Sequence, residues 1–254
     1  MIEAGLLEQF ESDGVCVVPD VLPATEIDLL WQELELAMAE DLQMRPDAFD
    51  AGMVHNCMFR GARMAALLDS ETMNAYVQAI LAPSCILYAY QSSSLPPGDG
   101  NYGSRVHVDA PRFVDGYVTN VGVIFPLMDF DATSGGTLYV PGSHKVAELP
   151  DAADFAARCQ RLTCKAGDMV MFNARLAHAA GTNAGHRVRH ALTLNFCRCF
   201  MRQRFDFARM VSDAQLQKMG PHARRLLGWD VRMPTSLDEF YLPPAQRLYK
   251  PGQE

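Results

Sequence analysis

The chain has 254 residues, of which 49% are hydrophobic and 20% are charged, and its formal net charge is −8. These values are typical of a globular enzyme, and the length suits one large domain although it would also permit two. The negative charge argues against sequence-independent binding of nucleic acid, which needs a basic surface. No apolar run approaches the roughly 20 residues that span a bilayer, and the N-terminus lacks a signal pattern. We therefore expect a cytoplasmic protein that binds neither membranes nor nucleic acid.

The seven cysteines form no recognisable pattern. Their number is odd, and no two of them have Cys-x-x-Cys spacing. We therefore expect neither a disulfide framework nor a zinc site. In a reducing cytosol these side chains would remain thiols.

Two helices are predicted before the first strand. Thr25 can cap a helix in which apolar residues recur at helical spacing from Ile27 to Met38. Ser70 can cap a second helix, which stops near Pro83. Residues 41–62 show no clear period and predict a long irregular segment, a kind of segment that is often functional.

From Ile86 onward, apolar and polar residues alternate, which is typical of strands that have one apolar face. We expect the apolar faces to pack on helices and the mixed inner faces to line a cavity. The predicted fold is mainly β with flanking helices, a double-stranded β-helix (jelly roll) of the cupin type. We expect a single domain with a helical part at about 1–83, the barrel at about 84–205 and a helical tail at about 206–254.

Three residues with metal-binding side chains stand out. His107 and Asp109 are two positions apart, so on a strand they share one face, and His178 follows far downstream. Two imidazoles and one carboxylate are the ligand set that holds ferrous iron while leaving adjacent positions open. The pattern therefore predicts His107, Asp109 and His178 as both the metal ligands and the catalytic centre.

Further motifs surround these three residues in a fixed order. Between the two halves of the triad lies the stretch GGTLYVPGSH (135–144), GDMVMFN (167–173) precedes the second histidine, and Asn183 and Arg189 follow it. In this order the residues resemble the phytanoyl-CoA dioxygenase-like family of iron(II)/2-oxoglutarate-dependent oxygenases, over roughly Gln91 to Phe196. The resemblance implies Fe(II), 2-oxoglutarate and O2, with decarboxylation of 2-oxoglutarate to succinate as a substrate C–H bond is oxidised, most often by hydroxylation.

Arg189 is the candidate for binding the distal carboxylate of 2-oxoglutarate. The arginine with this role in the family falls eleven residues after the distal histidine, as Arg189 does after His178. A guanidinium grips a carboxylate through two parallel hydrogen bonds and stays charged when buried. Arg187 has the same strand parity and is the alternative.

Gln91, Asn120, Thr137 and Tyr139 are further candidates for contact with 2-oxoglutarate or substrate, because they are polar residues on inner faces. A structural hydrogen bond would explain each of them equally well. Several relatives have a hydroxyl residue two positions after the distal histidine, where this chain has Ala180. That hydrogen bond is therefore either missing or supplied elsewhere, with Asn120 and Thr137 as the candidates.

The substrate is predicted to be a small molecule, and six arginines flank the segments expected to border the cavity. Local positive charge in a negative protein favours a small polar or anionic metabolite. Alternatively, these arginines pair with Asp99, Asp115 or Asp206. The six are Arg60, Arg63, Arg112, Arg198, Arg202 and Arg204. The sequence does not indicate an oligomeric state.

Other activities are compatible with parts of this residue pattern. Desaturation, cyclisation and epoxidation use the same ligands as hydroxylation. Halogenases among the relatives replace the carboxylate with Gly or Ala, and Asp109 argues against that activity. Outside enzymes, the fold would suit a non-catalytic cupin-like protein that binds a metal or ligand. Arg189 favours the enzyme, because such a barrel has no need for a buried carboxylate clamp.

Overall fold

The computed structural model describes residues 2–98 and 102–247, and two antiparallel β-sheets form its centre. The larger sheet has the strand order β1-β6-β3-β8-β2, and the smaller has the order β5-β4-β7. The strands of this part of the chain are Val15–Val18 (β1), Ile86–Leu95 (β2), Asn120–Pro126 (β3), Leu138–Tyr139 (β4), Gln160–Arg161 (β5), Met169–Asn173 (β6), His178–Ala179 (β7) and Arg189–Cys197 (β8).

Helices precede, interrupt and follow the strands. The α-helices within the described ranges are Ala4–Asp13 (α1), Ala24–Met44 (α2), Ala62–Ala66 (α3), Glu71–Leu81 (α4), Ala152–Arg158 (α5), Phe207–Met210 (α6), Asp213–Leu216 (α7), Pro221–Leu226 (α8) and Leu237–Phe240 (α9). None of them is both long and apolar enough to cross a membrane. Sheet and helices together confirm the predicted fold class, mainly β with flanking helices.

The main core lies between the larger sheet and the helices on its outer face. Leu30 and Leu34 of α2 are fully buried, as is Met73 of α4. They belong to one apolar cluster with the outward-facing Val123 of β3 and Leu194 of β8. Burying a side chain of this size contributes about 1.5–3 kcal/mol, so this layer anchors the sheet that carries half of the site described below.

The inner faces of both sheets line one cavity. Strand β8 illustrates the alternation, because Arg189, Thr193 and Asn195 line the cavity while Leu192 and Leu194 lie in the core. The alternation fails at one place in β2. A register shift between Leu87 and Ala89 puts Tyr88 at the cavity beside its sequence neighbour Ala89.

The N-terminal part differs from the prediction in two ways. The first is that it is not purely helical, because β1 forms the edge of the larger sheet by pairing with β6. Its sequence VCVV is apolar throughout, and three of its four side chains are buried, so it gives no alternating signal. The second is that residues 41–62 are not irregular throughout, because α2 continues to Met44 and a short 3-10 helix covers Cys57–Phe59.

The predicted helix starts have opposite outcomes. Ser70 does cap α4, and its side chain accepts a hydrogen bond from the backbone N–H of Met73. The prediction for Thr25 was wrong, because α2 begins at Ala24, and Pro23 at its cap makes no side-chain hydrogen bond. Proline at this point fixes the backbone before the helix, which leaves Thr25 inside the first turn.

Candidate active site

The three predicted metal ligands come together at one end of the cavity. His107 and His178 pair as an antiparallel bridge, in which each backbone N–H donates to the carbonyl of the other at 3.0 Å. Oδ1 of Asp109 lies 3.6 Å from Nε2 of His107 and 3.9 Å from Nε2 of His178. One donor atom from each of the three lies within 4.8 Å of the others. A single bridge, rather than the regular strand we expected for His107, therefore aligns the ligands.

Backbone carbonyls fix how the two imidazoles present their nitrogens. Nδ1 of His107 donates to the carbonyl of Arg105 at 2.7 Å, and Nδ1 of His178 donates to that of Leu176 at 2.9 Å. Since a carbonyl can only accept, each Nδ1 carries the proton and each Nε2 keeps its lone pair. Burial lowers the pKa of His178, which favours the neutral form that a metal ligand needs. The donor set therefore fits ferrous iron.

A side chain of the larger sheet packs against His178. The ring of Phe172 packs edge-on against His178 with centroids 5.4 Å apart. Phe172 on β6 lies opposite Gly122 on β3, and a Cβ atom at that position would overlap its ring. Glycine at 122 thus leaves the space that the aromatic ring needs.

Arg189 lies on the wall of the same cavity and is almost completely buried, with 2% of its surface exposed. Nη1 donates to the carbonyl of Gly135 at 2.6 Å, and the guanidinium lies 4.2 Å from the centre of the Phe130 ring. Nε is buried without a hydrogen-bond partner. Burial lowers the pKa of Arg189 to about 10, so the group is still charged at neutral pH. A buried cation with an unpaired donor is stabilised by an anion placed beside it.

Gly135 holds this arrangement through its backbone. Its φ of +75° is a conformation that other residues rarely adopt, and an added Cβ would lie 2.8 Å from the backbone nitrogen of Asn183. The side chain of Asn183 in turn donates to the carbonyls of Leu95 and Arg187. The glycine pair at 135–136, noticed in the sequence as part of a motif, therefore positions the carbonyl that orients Arg189.

The further candidates for contact with 2-oxoglutarate or substrate divide into two groups. Gln91 and Thr137 line the cavity of about 370 Å³, and so does Ala180, where relatives have a hydroxyl. Asn120 lies behind the wall, because its amide donates at 3.0 Å to Asn195, which itself lines the cavity. Thr137 is thus the better placed of the two proposed replacements. Tyr139, the remaining candidate, also lines the cavity. Two further wall residues, Ser93 and Asn195, were not selected from the sequence, although alternation had put them on inner faces.

Of the six arginines expected near the cavity mouth, all in the described part of the chain, Arg204 lines the cavity. The expectation was wrong for Arg63, which forms an ion pair with Glu26 on α2, whereas Arg60 pairs with Asp41 and lines a second cavity. It was also wrong for Arg198, which donates to backbone carbonyls, including that of Val118. Arg112 and Arg202 are exposed. Of the suggested partners, Asp206 pairs with Arg209, and Asp99 lies outside the described residues.

Comparison with known proteins identifies the family. The family model described as phytanoyl-CoA dioxygenase matches residues 10–191. Protein Rv1501 of Mycobacterium tuberculosis is 32% identical over 250 residues, which are 94% of this chain and 92% of the relative. The Fe(II)/2-oxoglutarate-dependent dioxygenase nvfF of Aspergillus novofumigatus is 23% identical, over 87% of this chain and 80% of the relative.

The fold is also found among solved structures. The crystal structure of AviO1 from Streptomyces viridochromogenes superposes with a TM-score of 0.67 at 21% identity, covering 79% of this chain and 97% of that one. The family match covers well over half of the chain, and one relative exceeds 30% identity across nearly all of it. The chain therefore belongs to the phytanoyl-CoA dioxygenase family, and it is an iron(II)/2-oxoglutarate-dependent dioxygenase.

Proposed function

We propose that the protein hydroxylates a C–H bond of a small-molecule metabolite, with His107, Asp109 and His178 as the iron ligands and Arg189 as the anchor for 2-oxoglutarate. One observation carries the proposal. Three ligand side chains converge within 4.8 Å, and they face the same cavity as a buried arginine whose Nε has no partner. A metal site alone would not require that arginine, whereas a dicarboxylate cosubstrate does.

The chain's own residues bind and orient the reactants. The two Nε2 atoms and the Asp109 carboxylate supply three ligands and leave adjacent coordination positions for the cosubstrate and O2. Bound iron would supply the redox chemistry that couples decarboxylation of 2-oxoglutarate to oxidation of the substrate. Arg189 would hold the distal carboxylate at the inner end of the cavity, and Thr137 and Tyr139 offer hydroxyl groups on the wall. The apolar wall residues Leu162 and Val170 would help to exclude water there.

Gln91 and Arg204 would contact the substrate rather than 2-oxoglutarate. They line the same cavity and are bonded to each other, since Nη1 of Arg204 donates to Oε1 of Gln91 at 3.0 Å. Arg189 already serves the cosubstrate, so among the described residues that line this cavity Arg204 is the cation left for a substrate. This supports a polar or anionic small molecule as the substrate. Asn120 would act indirectly, by fixing the Asn195 side chain.

The test combines binding with product analysis. We expect the purified protein to bind Fe(II) and 2-oxoglutarate under argon, and to form succinate in air when the right metabolite is supplied from a fractionated pool. Mass spectrometry of the consumed metabolite then distinguishes hydroxylation, which adds one oxygen atom, from desaturation, which removes two hydrogen atoms. His178→Ala is the matched control and should form no succinate. Binding of both iron and 2-oxoglutarate without succinate formation from any fraction would instead support the non-catalytic alternative.

A further inference from the structure

A second cavity, here called the side cavity, adjoins the cavity lined by His107, Asp109 and His178, here called the metal cavity. Its volume is about 500 Å³, and it is formed mainly by residues 41–60 together with Phe205 and Met210. Met53 lines both cavities and therefore stands between them. The segment that gave no clear period in the sequence thus forms most of this wall.

Two further contacts tie the cavities together. His55, in the side cavity, forms an isolated antiparallel bridge with Gln91, which lines the metal cavity. Arg204, in the metal cavity, has its guanidinium 6.0 Å from the ring centre of Phe205, in the side cavity. The two cavities therefore share Met53, and Gln91 and Arg204 lie against residues of the side cavity; these three residues are called the partition below.

The charged groups of the side cavity are matched with one another. Asp41 accepts hydrogen bonds from Arg45 at 2.8 Å and from Arg60 at 2.7 Å, and Asp50 lies 2.6 Å from Nε2 of His55. Paired charges of this kind offer little net attraction to a charged ligand. What remains for a ligand is the apolar surface of the side chains Met53, Phe59, Phe205 and Met210. The side cavity therefore suits an uncharged, apolar group.

The cation at the partition is held by a weak partner. Arg204 is exposed, and its guanidinium donates a hydrogen bond to the neutral amide of Gln91. A carboxylate is a stronger acceptor for a guanidinium than an amide is, so an anionic ligand can replace Gln91. This differs from Arg189, which is buried and bonded to the backbone.

We propose that the two cavities form one substrate site, which takes a small organic anion with an apolar body about the size of one or two rings. Arg204 binds the anionic group at the partition and the apolar body extends past Met53 into the side cavity. The carbon to be oxidised lies next to the anionic group, on the side of the partition that faces the metal ligands. The inference rests on the proposed function, because 2-oxoglutarate then occupies part of the 370 Å³ around the triad. A substrate with an apolar body needs the additional room.

The test uses two ligand pairs on the enzyme loaded with Fe(II) and saturating 2-oxoglutarate under argon. Benzoate and biphenyl-4-carboxylate differ in the size of the apolar body, and biphenyl-4-carboxamide lacks the charge. By calorimetric titration we expect the biphenyl carboxylate to bind about tenfold or more tightly than benzoate, because a second ring is buried. We expect biphenyl-4-carboxylate to bind more tightly than biphenyl-4-carboxamide by a similar factor.

Two variants separate the two contributions. Arg204→Gln should abolish the preference for the carboxylate over the carboxamide and keep the preference for size. Ala48→Trp, which fills the side cavity from its wall, should abolish the preference for size and keep the preference for charge. Arg202→Gln is the matched control, an exposed arginine of the same loop that lines neither cavity.

The outcomes are distinguishable because binding of iron and 2-oxoglutarate is measured first on every preparation. Absence of that binding in the wild type overturns the proposed function. If it is intact, equal affinity of the wild type for benzoate and biphenyl-4-carboxylate overturns the present inference alone. So does an Arg204→Gln variant that still prefers the carboxylate. Intact iron and cosubstrate binding by Ala48→Trp shows that the variant is folded, so an unchanged preference for size in it would also count against the side cavity.

Discussion

The two sheets contribute to the site in different ways. The larger sheet supplies Arg189 from β8, a nine-residue strand that pairs along its length with β2 and, from Ala191 onward, also with β3. The smaller sheet supplies His178 from β7, which has two residues, and His107 is joined to it by a single bridge. The cosubstrate anchor thus lies on long ladders with a buried core behind them, and the metal ligands lie on short pairings.

This difference indicates where each half of the site gets its precision. Arg189 is the first residue of β8 and pairs with Leu95, and the long ladder beyond it fixes the strand through many backbone hydrogen bonds, so the loss of one of them has little effect. The metal ligands depend on a few specific contacts, among them the two bonds between His107 and His178 and the bonds from each Nδ1 to a carbonyl. We therefore expect iron binding to be more sensitive than cosubstrate binding to small changes in the surrounding structure.

The largest effect is expected from removing a ligand of the smaller sheet. His178→Ala should lower the affinity for Fe(II) by more than the roughly 10–100-fold that loss of a ligand's hydrogen-bonding partner costs, and abolish turnover. The fold should persist, because the core lies on the other face of the larger sheet. Anaerobic titration with Fe(II) measures the effect. His186→Ala, at an exposed histidine, is the control, and wild-type affinity in His178→Ala would contradict the triad assignment.

Removing the guanidinium of Arg189 tests the half of the site that the larger sheet supplies. Arg189→Ala should weaken binding of 2-oxoglutarate by roughly 2–5 kcal/mol, since a buried charge pair is broken, and leave iron affinity nearly unchanged. Isothermal titration with 2-oxoglutarate measures the loss. Arg187→Ala is the control, because its guanidinium lies over the Trp31 ring at 5.1 Å and not at the cavity. If the two variants exchange their behaviour, the register of β8 is wrong by two residues.

The same contrast explains what the sequence predicts about the fold. Alternation identified β2, β3 and β8, because one face of each packs on apolar residues while the other lines a cavity. The two-residue strand β5 is too short to show a period, so it was not predicted. The bulge at Tyr88 and the edge strand β1 were also missed, because neither follows simple alternation.

Prediction of the site shows a similar limit. The proposed metal ligands and Arg189 could be picked out from residue type and spacing, and the structure brings them to one cavity. Which of the six arginines reaches that cavity could not be predicted, because partners distant in sequence decide it. Arg60 meets Asp41 across 19 residues, whereas Arg204 meets Gln91 across 113.

A glycine on the larger sheet tests whether the two sheets are coupled. Gly122→Ala should push the Phe172 ring towards His178, because a methyl group at 122 overlaps that ring. We expect overpacking to cost about 1–3 kcal/mol of stability in urea unfolding, with a measurable loss of iron affinity. Gly5→Ala in α1 is the control, because it has open space around its Cβ position. Reduced stability with unchanged iron affinity would mean that the sheets act independently.

The smallest effect should separate local support of the ligands from general stability. Oγ of the buried Ser143 accepts from the backbone N–H of Ala177 at 2.9 Å, directly before His178, and Oγ of Ser70 accepts from Met73 at 3.3 Å, at the start of α4. Ser143→Ala leaves a buried donor unpaired and should cost about 1–3 kcal/mol, while Ser70→Ala removes a helix cap and should cost about 0.5–2 kcal/mol. Stability alone would therefore hardly distinguish the two.

Iron affinity should distinguish them. Ala177 is bonded on both sides, to Ser143 by its N–H and to Val140 by its carbonyl, so releasing one bond loosens the chain that carries His178. We expect a several-fold rise in the dissociation constant for Fe(II) in Ser143→Ala, below the roughly tenfold lower bound for losing a direct partner of a ligand. Ser70→Ala should not change it, since α4 packs on the outer face of the larger sheet. Equal iron affinities in the two variants would show that the short pairings are as robust as the long ladders, and would remove the basis of the contrast between the sheets.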